Sequence, residues 1–134
     1  MTPKHKTKDI PKSAYSHYLQ KAQECFHAAT TSLANKEWNA AAINAIHCCI
    51  SASDAMCVFF LGKRHSGESH NDAAGLLKTI KNTDEFNTNV NRIIRILRMK
   101  NMAEYEERLV YQSEAEKIYK DCERFFDFVK SHLE

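Results

Sequence analysis

The chain has 134 residues, 43% of them apolar and 27% charged, and a formal net charge of +2. That length supports one domain with a single core, and so mild a charge does not by itself mark a nucleic-acid binder. Only 3 Gly and 2 Pro punctuate it, which excludes a fold of many short strands and favours long helices.

Residues 1–12 carry Lys4, Lys6, Lys8 and Lys12 with no apolar stretch behind them, so they read as a basic flexible tail and not as a secretory leader. The domain proper is expected over 13–134. Ser13 is placed to cap a first helix reaching about Ala34, in which Tyr15, Tyr18, Leu19, Ala22, Phe26, Ala29 and Leu33 step by three and four along one face. Asn35-Lys36 breaks the chain. A second helix is predicted from about Glu37 to Leu61, apolar on nearly all sides. One stripe runs through Trp38, Ala41, Ala45, Cys49, Ala52, Met56 and Phe59, and another through Ile43, Ile46, Ile50, Cys57 and Leu61. A helix with two apolar stripes sits centrally or also faces a partner chain, so a homodimer is expected.

Gly62 to Ser69 reads as a loop, followed by a short helix from about His70 to Ile80. Thr83 or Asp84 is placed to cap a fourth helix whose buried stripe is Phe86, Val90, Ile93, Ile94 and Leu97. The A-E-Y sequence at 103–105 reads as a turn. Ser113, with Glu116 three residues on, signals a capping box for a last helix with a stripe of Ala115, Ile118, Tyr119, Cys122, Phe126, Val129 and Leu133. The fold class that follows is all-α: a five-helix up-and-down bundle of four main helices and one short one.

Five cysteines without a C-x-x-C pair fall mostly on apolar faces, which points to reduced, structural thiols in a cytoplasmic protein. The longest apolar run, Ala55 to Leu61, argues against a membrane association. His and Cys spacing matches no metal motif, and no phosphate-cradling Gly-rich loop or nucleophile elbow is present, so no metal and no cofactor are expected.

The charge that stands out is Arg92, Arg95, Arg98 and Lys100 at the end of the fourth helix. Arg95 and Arg98 share one helical face and point together. Two such guanidiniums either clamp a phosphate or pair with Glu85, Glu104, Glu106 or Glu107. Asp54, inside the apolar second helix, needs a partner, and Arg98 or Arg95 is the expected one. Arg64 and His70 stand at a further Arg-to-His spacing across the Gly67 loop.

The helix order, the phrase K-E-W-N-A-A-A-I-N-A-I-H at 36–47, S-H-N-D-A-A-G-L-L at 69–77 and R-M-K-N-M-A-E-Y at 98–105 together resemble the HEPN domain family, small helical bundles of prokaryotic defence and toxin–antitoxin systems. The resemblance implies a homodimer whose fourth-helix ends meet in a polar cleft, and a nucleotidyltransferase or antitoxin as a partner. Nuclease members carry an Arg and, a few residues on, a His at this place. Here Arg98 is followed six positions later by Glu104. The implied function is a non-catalytic module that binds RNA, a nucleotide or a partner protein through Arg95, Arg98, Asn101, Tyr105 and Asp54. The alternatives are a divergent metal-independent ribonuclease using Arg98, Glu104 and Tyr105, or a purely structural interaction domain.

Overall fold

The computed structural model describes residues 6–67 and 71–133. The five expected helices form: α1 (Tyr15–Ala34), α2 (Trp38–Leu61), α3 (Asn71–Lys78), α4 (Asp84–Arg98) and, last in the chain, α6 (Gln112–Leu133). Between the last two lies a short extra helix, α5 (Lys100–Tyr105), where the sequence suggested a plain turn. Its separation from α4 comes at Met99, whose N–H bonds back to Ile96 in the tightened last turn.

α2 is the axis of the bundle. Ala41, Ala42, Ala45, Cys48, Cys49, Ala52 and Ala55 are fully buried along it, and side chains this small let α1 and α6 approach closely on either side. Larger side chains fill what remains, with Ile46 and Met56 from α2, Phe86, Ile93 and Ile96 from α4, and Phe125 and Phe126 from α6 all essentially inaccessible. By length and composition α2 is a helix that could cross a membrane. Its apolar surface is instead spent largely inside the bundle. Of its second stripe, Ile46 and Cys57 are buried and Ile43, Ile50 and Leu61 half-buried. All five cysteines are free thiols, and Cys48, Cys49, Cys57 and Cys122 are buried, with burial pushing the Cys57 thiol up to about 12.

The N-terminal segment departs from the expected flexible tail. Thr7–Asp9 forms a strand, β1, antiparallel to β2 (Lys63–His65) in what reads from sequence as a loop, with Thr7 opposite His65 and Asp9 opposite Lys63. The flanking backbone extends the pairing, Ile10 N–H to Gly62 and Ser66 N–H to Lys6. Of these six residues only Thr7 favours a strand. The pairing follows from Gly62, which ends α2 with φ 68° and turns the chain back along the incoming segment.

The caps also differ in detail. Ser13 lies in a 3-10 turn (Lys12–Ala14) and does not cap α1. Thr83 does cap α4, its Oγ1 accepting the Phe86 N–H at 3.2 Å. α6 begins one residue before Ser113, and Glu114 rather than Glu116 folds back to accept the Tyr111 N–H at 2.9 Å.

Candidate functional site

α4 delivers Arg92, Arg95 and Arg98 to the side that faces α6, the last two in the final helical turn, where the backbone dipole favours cations. Asp121 of α6 closes two of them, its Oδ1 lying 3.4 Å from Arg95 Nη2 and 3.9 Å from Arg92 Nε. Arg92 Nη1 also donates to Asn89 Oδ1 at 2.7 Å. Arg98 is exposed and makes no ion pair or hydrogen bond among the described residues. It lines a cavity of about 360 Å³ with Arg95, Ile96 and Met99 on one wall and Glu114, Lys117, Ile118 and Asp121 on the other. Glu114 is committed elsewhere, to both terminal nitrogens of Arg108 at 2.7 and 2.8 Å, and that guanidinium holds its carboxyl down at about 2. The cavity therefore has apolar walls, two closed carboxylates and two open cations, Arg98 and Lys117.

Beyond Met99, α5 turns the chain toward α2. Glu104 Oε2 accepts from Lys100 Nζ at 2.8 Å, one helical turn back, and Oε1 meets His47 Nε2 of α2 at 2.7 Å. Burial pushes the Glu104 carboxyl up, but the hydrogen bonds and charges of Lys100 and His47 outweigh it, and the group sits below its usual value. The same contact raises the Lys100 ammonium above its ordinary value despite the opposing effect of burial. Glu104 is thus an ionised structural anion and no proton donor near neutral pH. An ionised carboxylate only accepts, so His47 Nε2 carries its proton toward Glu104 and leaves Nδ1 for another partner. Tyr105 stands 72% exposed beside this group, with Lys100 Nζ 5.1 Å from its ring centroid. Asn101 is exposed on the same short helix, its carbonyl accepting the Glu106 N–H that ends α5.

The expected partnership of Asp54 with Arg98 or Arg95 does not form. Those guanidiniums face α6, whereas Asp54 lies two turns beyond His47 on α2 and feels Arg64 and Lys21. Burial raises its carboxyl to about 6, with both cations pulling the other way. Arg98 is likewise not closed by Glu104, which Lys100 and His47 occupy. Arg64 donates to the His65 carbonyl at 2.9 Å, and its expected counterpart His70 lies outside the described residues. Among the described residues no cluster of three or more His, Cys, Asp or Glu side chains could hold a metal.

Four of the five expected ligand residues thus stay near the α4 end on short-range sequence grounds, with Arg95 and Arg98 in one cavity and Asn101 and Tyr105 on the helix that follows. His47 and Lys117 are the additions that sequence reading missed. Lys100 was legible from its i,i+4 spacing to Glu104, and His47 had one weak signal, a polar residue between Ile43 and Ile50 on an apolar helix.

Residues 15–132 match the family model described as HEPN domain. No curated protein matches the chain.

Proposed function

The chain belongs to the HEPN domain family, and from that premise we propose that it is a non-catalytic module that holds a phosphate of RNA or of a nucleotide at Arg98. The observation that carries this reading is the state of the cations. Arg92, Arg95, Lys100 and Arg108 are each closed onto a carboxylate, and Arg98 stands open at the mouth of a cavity with apolar walls. A guanidinium in that setting presents its donor fork to a tetrahedral anion. Retention without cleavage follows from Glu104, whose carboxylate is held ionised where the family's nucleases place an imidazole.

The test is binding of a mixed RNA pool and of a mononucleotide by wild type and Arg98→Ala. Retention should be lost in the variant, with the RNA intact. Each phosphate contact with a single strand contributes about 0.7 to the salt slope, so the slope should fall by roughly that amount. Equal retention by the variant overturns the reading.

A ribonuclease reading has one observation in its favour. His47 brings an imidazole from α2 to Glu104, and a carboxylate-oriented imidazole with a free nitrogen is the usual form of a general base. In that case Arg98 would hold the scissile phosphate and Tyr105 would flank it. The discriminating variant is His47→Ala: RNA shortening that disappears in it, with retention unchanged, makes this an enzyme. Under either reading the protein acts as a homodimer with its α4 ends in one cleft. Light scattering that gives a monomer at micromolar concentration removes the dimer.

A further inference from the structure

The Arg98 cavity does not end at α6. Lys117 and Asp121 line it and also line a second, open recess of about 700 Å³ between α6 and the end of α1, so the two recesses adjoin at these side chains. Lys117, Lys120 and Arg124 stand at intervals of three and four on α6 and therefore share a face. None of the three makes an ion pair or hydrogen bond among the described residues. Two turns separate Lys117 from Arg124, about 10 Å along the axis, more than one phosphate group can bridge.

The acids of the recess do not cancel this line. Asp121 is turned to Arg95 and Arg92, while Glu116, whose Oε1 accepts from the neutral Gln112 amide, keeps its charge, so that with Glu123 two carboxylates stand against three cations. Glu123 remains as an open carboxylate at the edge. The floor is apolar and aromatic, with Leu33 and the half-buried Tyr119, whose ring stacks on Phe26 at 5.3 Å and whose hydroxyl meets Thr30 Oγ1 at 2.7 Å. A braced ring beside a line of open cations is the combination that binds single strands, with phosphates on the cations and base faces on the ring.

We propose that a single-stranded nucleic acid runs from the Arg98 cavity across Lys117 and along α6 past Lys120 to Arg124, so that the ligand of this protein is a strand and not a mononucleotide. The inference rests on the reading of Arg98 as a phosphate contact and extends it to a polymer. It requires that affinity grow with oligonucleotide length, because each additional phosphate meets a further cation.

The experiment measures binding of uridine monophosphate, of an oligouridylate of about twelve nucleotides and of polyglutamate by fluorescence anisotropy across about 50–200 mM salt. The proteins are wild type, Arg98→Ala and the double variant Lys120→Ala/Arg124→Ala. Both positions of the double variant are exposed and outside the core, so folding is unaffected. The expected result is tighter binding of the oligomer than of the monophosphate. The double variant should bind the monophosphate as wild type does, and its oligomer salt slope should be smaller by about 1.4, two contacts at roughly 0.7 each. An unchanged oligomer slope in the double variant, with binding lost in Arg98→Ala, overturns the strand path and leaves the Arg98 site standing. Equal affinity for polyglutamate overturns the nucleic-acid assignment. No binding of either nucleotide ligand by wild type overturns both readings.

Discussion

His47 Nε2 lies 2.7 Å from Glu104 Oε1, joining the first half of α2 to α5 across 57 positions of sequence. The contact ties the piece of chain after α4 to the central helix. It also fixes the orientation of the only imidazole at the α4 end among the described residues. Glu104 is 13% exposed at its side chain and His47 49%, so the carboxylate is the buried partner and the ring faces outward.

Glu104→Gln removes the anion on which Lys100 and His47 converge. The folded carboxyl lies below its ordinary value, so its stabilisation is complete above the carboxylate range and is lost as pH falls through the folded value. We expect the variant to be less stable by roughly 1–2 kcal/mol at pH 7, the scale of hydrogen bonds to a charged group. The difference should close in acid. Thermal unfolding of both proteins from pH 7 downward checks it, and a gap that stays constant with pH contradicts the assignment.

Asp54 has the opposite sign. Its folded carboxyl is raised to about 6 by burial, so ionising it works against the folded state. Stability falls as pH rises from the unfolded value, about 3.9, through 6, and is flat above. Asp54→Asn should therefore stabilise the protein at pH 7 by about 1–3 kcal/mol, with the gain vanishing near pH 4. A variant that unfolds earlier than wild type at pH 7 would show instead that Arg64 and Lys21 make the charge favourable.

Two left-handed positions predict opposite effects. Gly62 has φ 68° and open space where a Cβ would stand, so Gly62→Ala meets backbone strain alone and should cost about 1–2 kcal/mol. Lys36 holds φ 62° with a side chain, and Lys36→Gly should relieve strain of the same kind, stabilising by a few tenths to about 1 kcal/mol. Urea midpoints of the two variants give the comparison, and shifts of the same sign refute it.

Asn39 Oδ1 accepts the Val110 N–H at 2.8 Å and pins the segment between α5 and α6 to the start of α2. In Asn39→Ala that amide has no partner. Its hydrogen exchange should accelerate by more than that of the α2 core amides, and the global loss should be about 1 kcal/mol. Uniform acceleration throughout the bundle would mean that the bond supports the whole fold and not this segment.

How much could be read without coordinates divides along the range of the interaction. Helices α1, α2, α4 and α6 are legible to within a few residues because their apolar residues repeat at the helical period, and the Thr83 cap is a local signal of the same kind. The common direction of Arg95 and Arg98 follows from three residues of spacing, and the cavity confirms that they share a wall. The β1–β2 pair was not legible, since Thr7–Asp9 and Lys63–His65 have no strand pattern and pair only because the turn at Gly62 brings them alongside.

The sequence by itself determined that this chain is a helical bundle of the HEPN family and that its α4 end is rich in cations. Only the tertiary structure decided which of those cations stay open. Asp121 and Glu114 of α6 close Arg95 and Arg108, and Glu104 closes Lys100, leaving Arg98 open with Lys117. It likewise separated Asp54 from the arginines and gave Glu104 an imidazole from α2. Period and propensity act within a few residues, whereas the partner of a charged group is set by which helices pack together and at what rotation.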